Sequence, residues 1–157
     1  MGHIILDNDF LPIARAAIET AKNKIYISTF KAQLTDKPRG KKLAEFFSIL
    51  IQKAKDGIKI RLLINWHADR KSVPLTNLAV MRELKLHNIK VKHLPNNRCC
   101  HAKVIIIDGR KAILGSHNLS VRSCQSNFEL SYLIPDPESI KELTSIFEHS
   151  WQGAVDA

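Results

Sequence analysis

The stretch from His101 to Asn118, HAKVIIIDGRKAILGSHN, decides the fold. Its four consecutive aliphatics, Val104 to Ile107, have the length of a buried strand covered on both faces. Asp108-Gly109 is a tight-turn signal, and Lys111 to Gly115 reads as the returning strand. Strand period is two, so His101 and Lys103 share a face. Ser116 and Asn118 stand in the same i, i+2 relation after the returning strand. A hairpin turning at Asp108-Gly109 folds this second pair back beside the first. An imidazole, an ammonium, a hydroxyl and an amide then meet at one strand end, a group suited to an anionic, tetrahedral substrate. Lysine and asparagine donate to phosphate oxygens, and histidine attacks phosphorus or carries a proton.

Outward from this hairpin the chain alternates helix and strand. Asp9 and Pro12 mark a helix start, and Phe10, Ile13, Ala14, Ala17, Ile18 and Ala21 follow on one face. Residues 24–30 alternate and are β-rich, a strand. A polar, basic loop runs to Gly40. Leu43, Phe46, Phe47, Leu50, Ile51 and Ala54 form a helical stripe closed by Gly57. Strands are expected over 58–66, 89–94 and 127–134, with a helix over 76–87. Asp136-Pro137 opens a last helix whose Ile140, Leu143, Phe147 and Trp151 face inward. Phe30 and Trp66, at strand ends, read as core. The pattern predicts one α/β domain over residues 1–157, with a mixed central β-sheet flanked by helices on both faces.

Composition agrees. The chain has 157 residues, of which 45% are hydrophobic and 25% charged, a soluble globular balance that excludes collagenous and disordered classes. No apolar run approaches the roughly 18 residues needed to span a bilayer. The net charge of +9 is uneven. Residues 37–110 carry 17 basic and 5 acidic side chains, while the remainder is mildly acidic. A basic centre points to a polyanionic partner. Of three cysteines, Cys99 and Cys100 are adjacent and no Cys-x-x-Cys pair exists, so neither a metal site nor a disulfide framework is expected. With no basic, apolar leader at the N-terminus, a reducing, cytoplasmic setting is expected.

His101-x-Lys103-x4-Asp108-x6-Gly115-Ser116-x-Asn118 resembles, position for position, the His-Lys-Asp signature of the phospholipase D superfamily. The order of elements across nearly the whole chain is similar too, and the single motif resembles the bacterial endonucleases of that family. The resemblance implies phosphodiester chemistry without a metal or other cofactor. His101 would be the nucleophile, forming a covalent phosphohistidine. Lys103 and Asn118 would bind the nonbridging phosphate oxygens. Gly115 and Ser116 would support that geometry, and Asp108 would hold the turn. The family's downstream acidic residue corresponds to Glu129, which would fix a histidine tautomer through a hydrogen bond.

In-line displacement sets nucleophile and leaving group on opposite sides of phosphorus, so one imidazole cannot serve both. The chain has one motif, and a two-fold homodimer would supply the second. His101 of the second subunit would then be the general acid, giving a bell-shaped pH profile. His67 and His117 are the intrachain alternatives. For the substrate, three loops carry basic residues that could converge on the His101 site: Lys31, Lys37, Arg39, Lys41 and Lys42 in the first, Arg70 and Lys71 in the second, Arg98 in the third. Such a rim suits DNA or RNA bound by its backbone with little base specificity. The alternatives are a phospholipase or cardiolipin hydrolase of the same superfamily, and the nuclease domain of a larger restriction or helicase protein. A non-catalytic DNA-binding module is disfavoured by the intact His101, Lys103 and Asn118. With no apolar docking patch or anchor in the sequence, no stable membrane association is expected.

Overall fold

Alternation along Val104 to Ile107 sends successive aliphatics into two apolar layers, and the rest of the chain is arranged to cover both. The computed structural model describes residues 2–67 and 75–157. In chain order the elements are β1 (His3–Leu6), α1 (Phe10–Glu19), β2 (Lys24–Thr29), α2 (Lys41–Lys55), β3 (Lys59–Ile64), α3 (Leu75–Leu86), β4 (Lys90–His93), β5 (Lys103–Ile107), β6 (Lys111–Gly115), α4 (Val121–Gln125), β7 (Leu130–Ile134), α5 (Pro137–Gln152) and β8 (Val155–Asp156). They build one mixed sheet in the order β1-β7-β6-β5-β2-β3-β4-β8. Ile105 and Ile107 lie in the layer packed by α1, α2 and α3 through Ile18, Phe46, Leu50 and Leu84. Val104 and Ile106 lie in the other, with Ile140, Phe147 and Trp151 of α5. Tyr26 and Arg61 fasten α5 from the sheet. Both bond Glu148, the Tyr26 hydroxyl at 2.5 Å and Arg61 Nη1 at 2.6 Å, and burial together with that carboxylate pushes the Tyr26 hydroxyl up to about 12.

Strand directions gather one set of ends. β2, β3 and β4 are parallel, whereas β5 runs against β2, β6 against β5 and β7 against β6. The C-terminal ends of β2, β3 and β6 therefore share a sheet edge with the N-terminal ends of β5 and β7. The register sets Ser28 opposite Val104, Lys103 opposite Gly115 and Gly115 opposite Ser131. Gly115 is required here: a Cβ would stand 2.1 Å from Ser131 Oγ and 2.4 Å from its Cα.

Sequence periodicity misses the shortest elements. β1 and β8 have four and two residues and each pairs at a sheet margin. α4 has five, too few for a stripe, though Ser120 caps it by accepting from Ser123 N. β7 begins at Leu130, later than expected, because the Glu129 backbone bonds Asp7 instead. Asp9 stands at the start of α1 but makes no side-chain cap.

The opposite sheet edge is closed by Asp108. Its Oδ2 accepts from Lys22 N and its Oδ1 from Asn23 N and Lys24 N, each at 2.8 Å. Asp108 and Gly109 both take positive φ, 54° and 66°, and Arg110 N closes the turn on Ile107 O at 2.9 Å. Burial works to raise the Asp108 carboxyl, but the three backbone N–H groups outweigh it and hold the group below its ordinary 3.8. A carboxyl depressed in the folded state stabilises it above the unfolded value and loses that contribution as pH falls through the folded one. Asp108→Asn, which keeps one acceptor oxygen and tolerates positive φ, is expected to cost about 1–3 kcal/mol at pH 7. In urea unfolding the gap from the wild type should narrow as pH falls below 3.8; a gap that stays constant with pH would sink this account.

Candidate active site

His101 is exposed and stands two residues ahead of Lys103, the first residue of β5. Lys103 Nζ donates to His101 O at 2.6 Å and lies 2.9 Å from His101 Nδ1. The two side chains thus meet, as strand alternation requires. Phe30, leaving β2 on the neighbouring strand, floors the pair. Its ring centre is 5.1 Å from that of His101 and 5.8 Å from Lys103 Nζ. Phe30 is therefore a site wall and not the core residue the sequence suggests. Burial lowers Lys103 below the ordinary lysine value, and the Glu129 charge opposes that shift.

Beyond β6, Ser116 and Asn118 follow the register of Gly115. Ser116 Oγ donates to Glu129 Oε2 and accepts from Leu130 N. Ser123 Oγ donates to Glu129 Oε1 at 2.7 Å, and Asn127 Nδ2 does so at 3.0 Å. Burial raises the Glu129 carboxyl, but these three donors and the nearby His117 ring outweigh it, so it is held below the ordinary value. The bond expected from Glu129 to a catalytic imidazole is absent within the described residues. Its position just before β7 turns it toward Ser116 across the β6–β7 pair instead. Asn118 Oδ1 accepts from Lys31 N at 3.0 Å. That bond fixes the amide, and Nδ2 is left without a partner among the described residues.

Two further asparagines hold the strand-end loops, and neither was singled out from sequence. Asn77, fully buried, accepts from Ala32 N at 2.9 Å and donates to Phe30 O and Asn65 O at 3.0 and 2.8 Å. Asn65 Oδ1 accepts from Cys100 N at 3.1 Å, just before His101. The available signal was a polar Asn77 among the buried Val80, Met81 and Leu84 of α3.

His101, Lys103, Gly115, Ser116, Asn118 and Glu129 thus share one end of the sheet. Asp108 does not. Five residues of extended chain, roughly 16 Å, separate it from Lys103, and its role is the clamp described above. His117 alternates to the opposite side of its segment. It is 2% exposed and stacked on Phe10 at 4.3 Å. Its Nε2 meets Asp7 O at 3.0 Å and its Nδ1 meets Ser131 Oγ at 2.7 Å. A carbonyl only accepts, so Nε2 carries the proton and the Ser131 hydroxyl donates to Nδ1. Burial lowers the His117 ring below the ordinary histidine value. His67 is 4% exposed.

The basic residues divide. Lys31 joins the site through its backbone. Arg39 is anchored beside α4 by Ser126 Oγ, which its guanidinium bonds, and by Gln125, which bonds its carbonyl. Arg98 lines a cavity with His101. Lys37 and Lys41 are exposed. Lys42 lies elsewhere, in the groove between α1 and α2 with Arg15, Glu19 and Glu45. Arg70 and Lys71 fall outside the described residues. Cys99 is exposed and free, while burial pushes the Cys100 thiol up to about 11 and the Cys124 thiol up to about 12. Among the described residues no three His, Cys, Asp or Glu side chains are grouped to hold a metal ion.

A family model described as "Cardiolipin synthase, PLD-like domain" matches residues 14–151. Among curated relatives, the probable cardiolipin synthase YwiE of Bacillus subtilis is 32% identical over 99 residues, covering 63% of this chain and 20% of that protein. Cardiolipin synthase 2 of Bacillus anthracis is 29% identical over 133 residues, covering 85% and 24%. The chain therefore spans only about a fifth to a quarter of those synthases. Among solved structures, the phospholipase D family member Nuc of Salmonella typhimurium superposes with a TM-score of 0.80 at 18% identity, covering 100% of this chain and 99% of that one. NucT from Helicobacter pylori gives 0.79 at 19%, with the same coverage. At such identities these structures establish the fold, and the family match over residues 14–151 settles the rest: the chain belongs to the phospholipase D superfamily, whose members are enzymes acting on phosphoester bonds.

Proposed function

We propose that the chain is a homodimeric, metal-independent phosphodiesterase that cuts nucleic acid through a phosphohistidine on His101. The observation that carries this reading is the contact of an exposed imidazole with the Lys103 ammonium, at the same end of the sheet as the Asn118 amide that Lys31 fixes. An imidazole nitrogen of His101 attacks phosphorus, forming the P–N bond as the P–O bond to the leaving group breaks. The departing alkoxide takes a proton from the protonated His101 of the second subunit. Water then attacks phosphorus, breaking the P–N bond, and that same imidazole takes its proton. Lys103 and Asn118 Nδ2 supply the charge and the donor that the phosphoryl oxygens need in the transition state. An incoming phosphate offers the Lys103 ammonium an anionic acceptor in place of the His101 carbonyl. Glu129 acts through Ser116, holding its hydroxyl at the rim.

The second subunit has a surface to occupy. On the α5 face, no helix among the described residues covers the β6-β7-β1 margin, and Leu114, Tyr132 and Ile4 form a cross-strand row exposed at 43%, 43% and 67%. Leu6 and Leu130 extend it. Leu114 is two residues from Ser116, and Leu130 adjoins Glu129, so the strip leads to the site. An exposed apolar strip of this kind marks a contact surface, and a self-complementary one closes by two-fold symmetry.

Nucleic acid is favoured by Lys31 and Arg98 beside the site, with Arg39 near α4. A second reading, an anionic phospholipid, is favoured by the cardiolipin synthases among the sequence relatives. The deciding assay is cleavage of labelled single- and double-stranded DNA and RNA in excess EDTA, beside phosphatidylglycerol and cardiolipin vesicles. Nucleic acid should be cut despite chelation, and His101→Ala should lower the rate at least about a thousand-fold. A requirement for added metal, or turnover of lipid alone, would overturn the proposal. Tyr132→Asp should sediment as a folded monomer and lose cleavage; a monomer that cuts at the parental rate would mean an intrachain acid.

A further inference from the structure

A cavity of about 350 Å³ opens directly beside His101, between the sheet and α5. None of the residues placed in the chemistry above, other than His101, lines it. Its walls are apolar, formed by Leu63, Leu94, Leu143, Ile146 and Phe147, while Arg98, Cys99 and Ser150 give it a polar margin. Ile146 is 56% exposed. The volume sits at the low end of the roughly 300–1,000 Å³ typical of small-ligand sites. Val104, on its floor, pairs with Leu114 of the uncovered strip, so the cavity borders the proposed dimer seam.

We propose that this cavity is a subsite for one unpaired nucleobase of the strand whose phosphate His101 attacks. The inference rests on the nuclease reading and deepens it. A nucleobase is a flat apolar body with a polar edge, which matches aliphatic walls under a polar margin. The Arg98 guanidinium makes no ion pair among the described residues. Being planar and weakly hydrated, it suits stacking on a base face. The Ser150 hydroxyl has no hydrogen-bond partner among the described residues and can meet a base edge. An alkyl chain would leave both groups unsatisfied as it desolvated them. Because the cavity adjoins His101 itself, a base lodged there belongs to a nucleotide next to the scissile phosphate. Bases in a duplex face inward, so the subsite demands a frayed or single strand.

The test compares single-stranded oligonucleotides that differ at one nucleotide, intact in one and abasic in the other, with cleavage mapped at the two flanking phosphates. For the wild type, cutting at one of those phosphates should fall at least ten-fold when the base is removed. Ile146→Trp, which fills the mouth from an exposed helix position, should lower cutting of the intact strand by a similar factor, and the two losses should not be additive. Equal cutting of intact and abasic strands by the wild type would overturn the subsite while leaving the nuclease standing. Fully additive losses would also overturn it. Failure to cut any nucleic acid, with turnover of phosphatidylglycerol vesicles that Ile146→Trp diminishes, would overturn both proposals and assign the cavity to an acyl chain.

Discussion

The register of the β5–β6 hairpin is the constraint on which the site depends. A one-residue slip in a strand exchanges its two faces, and here it would turn Lys103 away from the Ser116 and Asn118 side of the pair while driving Ile105 and Ile107 out of their layer. Burial on both faces makes such a slip expensive. The close approach of Gly115 to Ser131 fixes the next strand, since a side chain at 115 would have no room. Asp108 fixes the opposite end by collecting three amide hydrogens from the segment that enters β2. The signature residues therefore serve two purposes at two ends. His101, Lys103, Ser116 and Asn118 stand where the chemistry is proposed, and Asp108 keeps the strands that carry them in step.

Much of this was legible in the sequence because the hairpin is a local motif. Period two puts His101 with Lys103, Asp108-Gly109 announces the turn, and the strand lengths then decide what faces what. The clean stripe of Leu43, Phe46, Phe47 and Leu50 likewise places α2. What escaped depends on contacts between residues distant in sequence. Phe30 reads as a core aromatic at a strand end, and only the β2–β5 pairing reveals that it lies under His101. Asn77 reads as a polar interruption in a helix until its three hydrogen bonds to the loops are seen. Glu129 fits a motif position, but its partners are chosen by the β6–β7 pairing, which a linear spacing does not encode. Charge was a coarser guide. Lys42 is close to Arg39 in sequence, yet it shares a groove with Glu19 and Glu45 on the outer helices.

Polar groups around the site are held by side chains that have given up one of their own valences. Asn118 spends its carbonyl on Lys31 and keeps its amide. Asn65 and Asn77 tie the loops before His101 and after β2. Glu129 gathers two hydroxyls and an amide, which keeps the carboxylate ionised and the Ser116 hydroxyl directed. Such cross-bracing sets donor positions before a substrate arrives, the preorganisation on which electrostatic stabilisation of a transition state relies.

Asp7 has a reach that its place at the chain's beginning disguises. Its amide and side chain bond the Glu129 backbone, and its carbonyl receives the His117 ring proton. Both residues it holds flank groups of the site, and Asp7 itself sits at a positive φ of 44°, a conformation sustained by those bonds. The first strand is thus mechanically wired to the phosphate end of the sheet. Pulling on it, displacing it with another strand, or clipping it by a protease would loosen Ser116 and Asn118 with no agent entering the cleft.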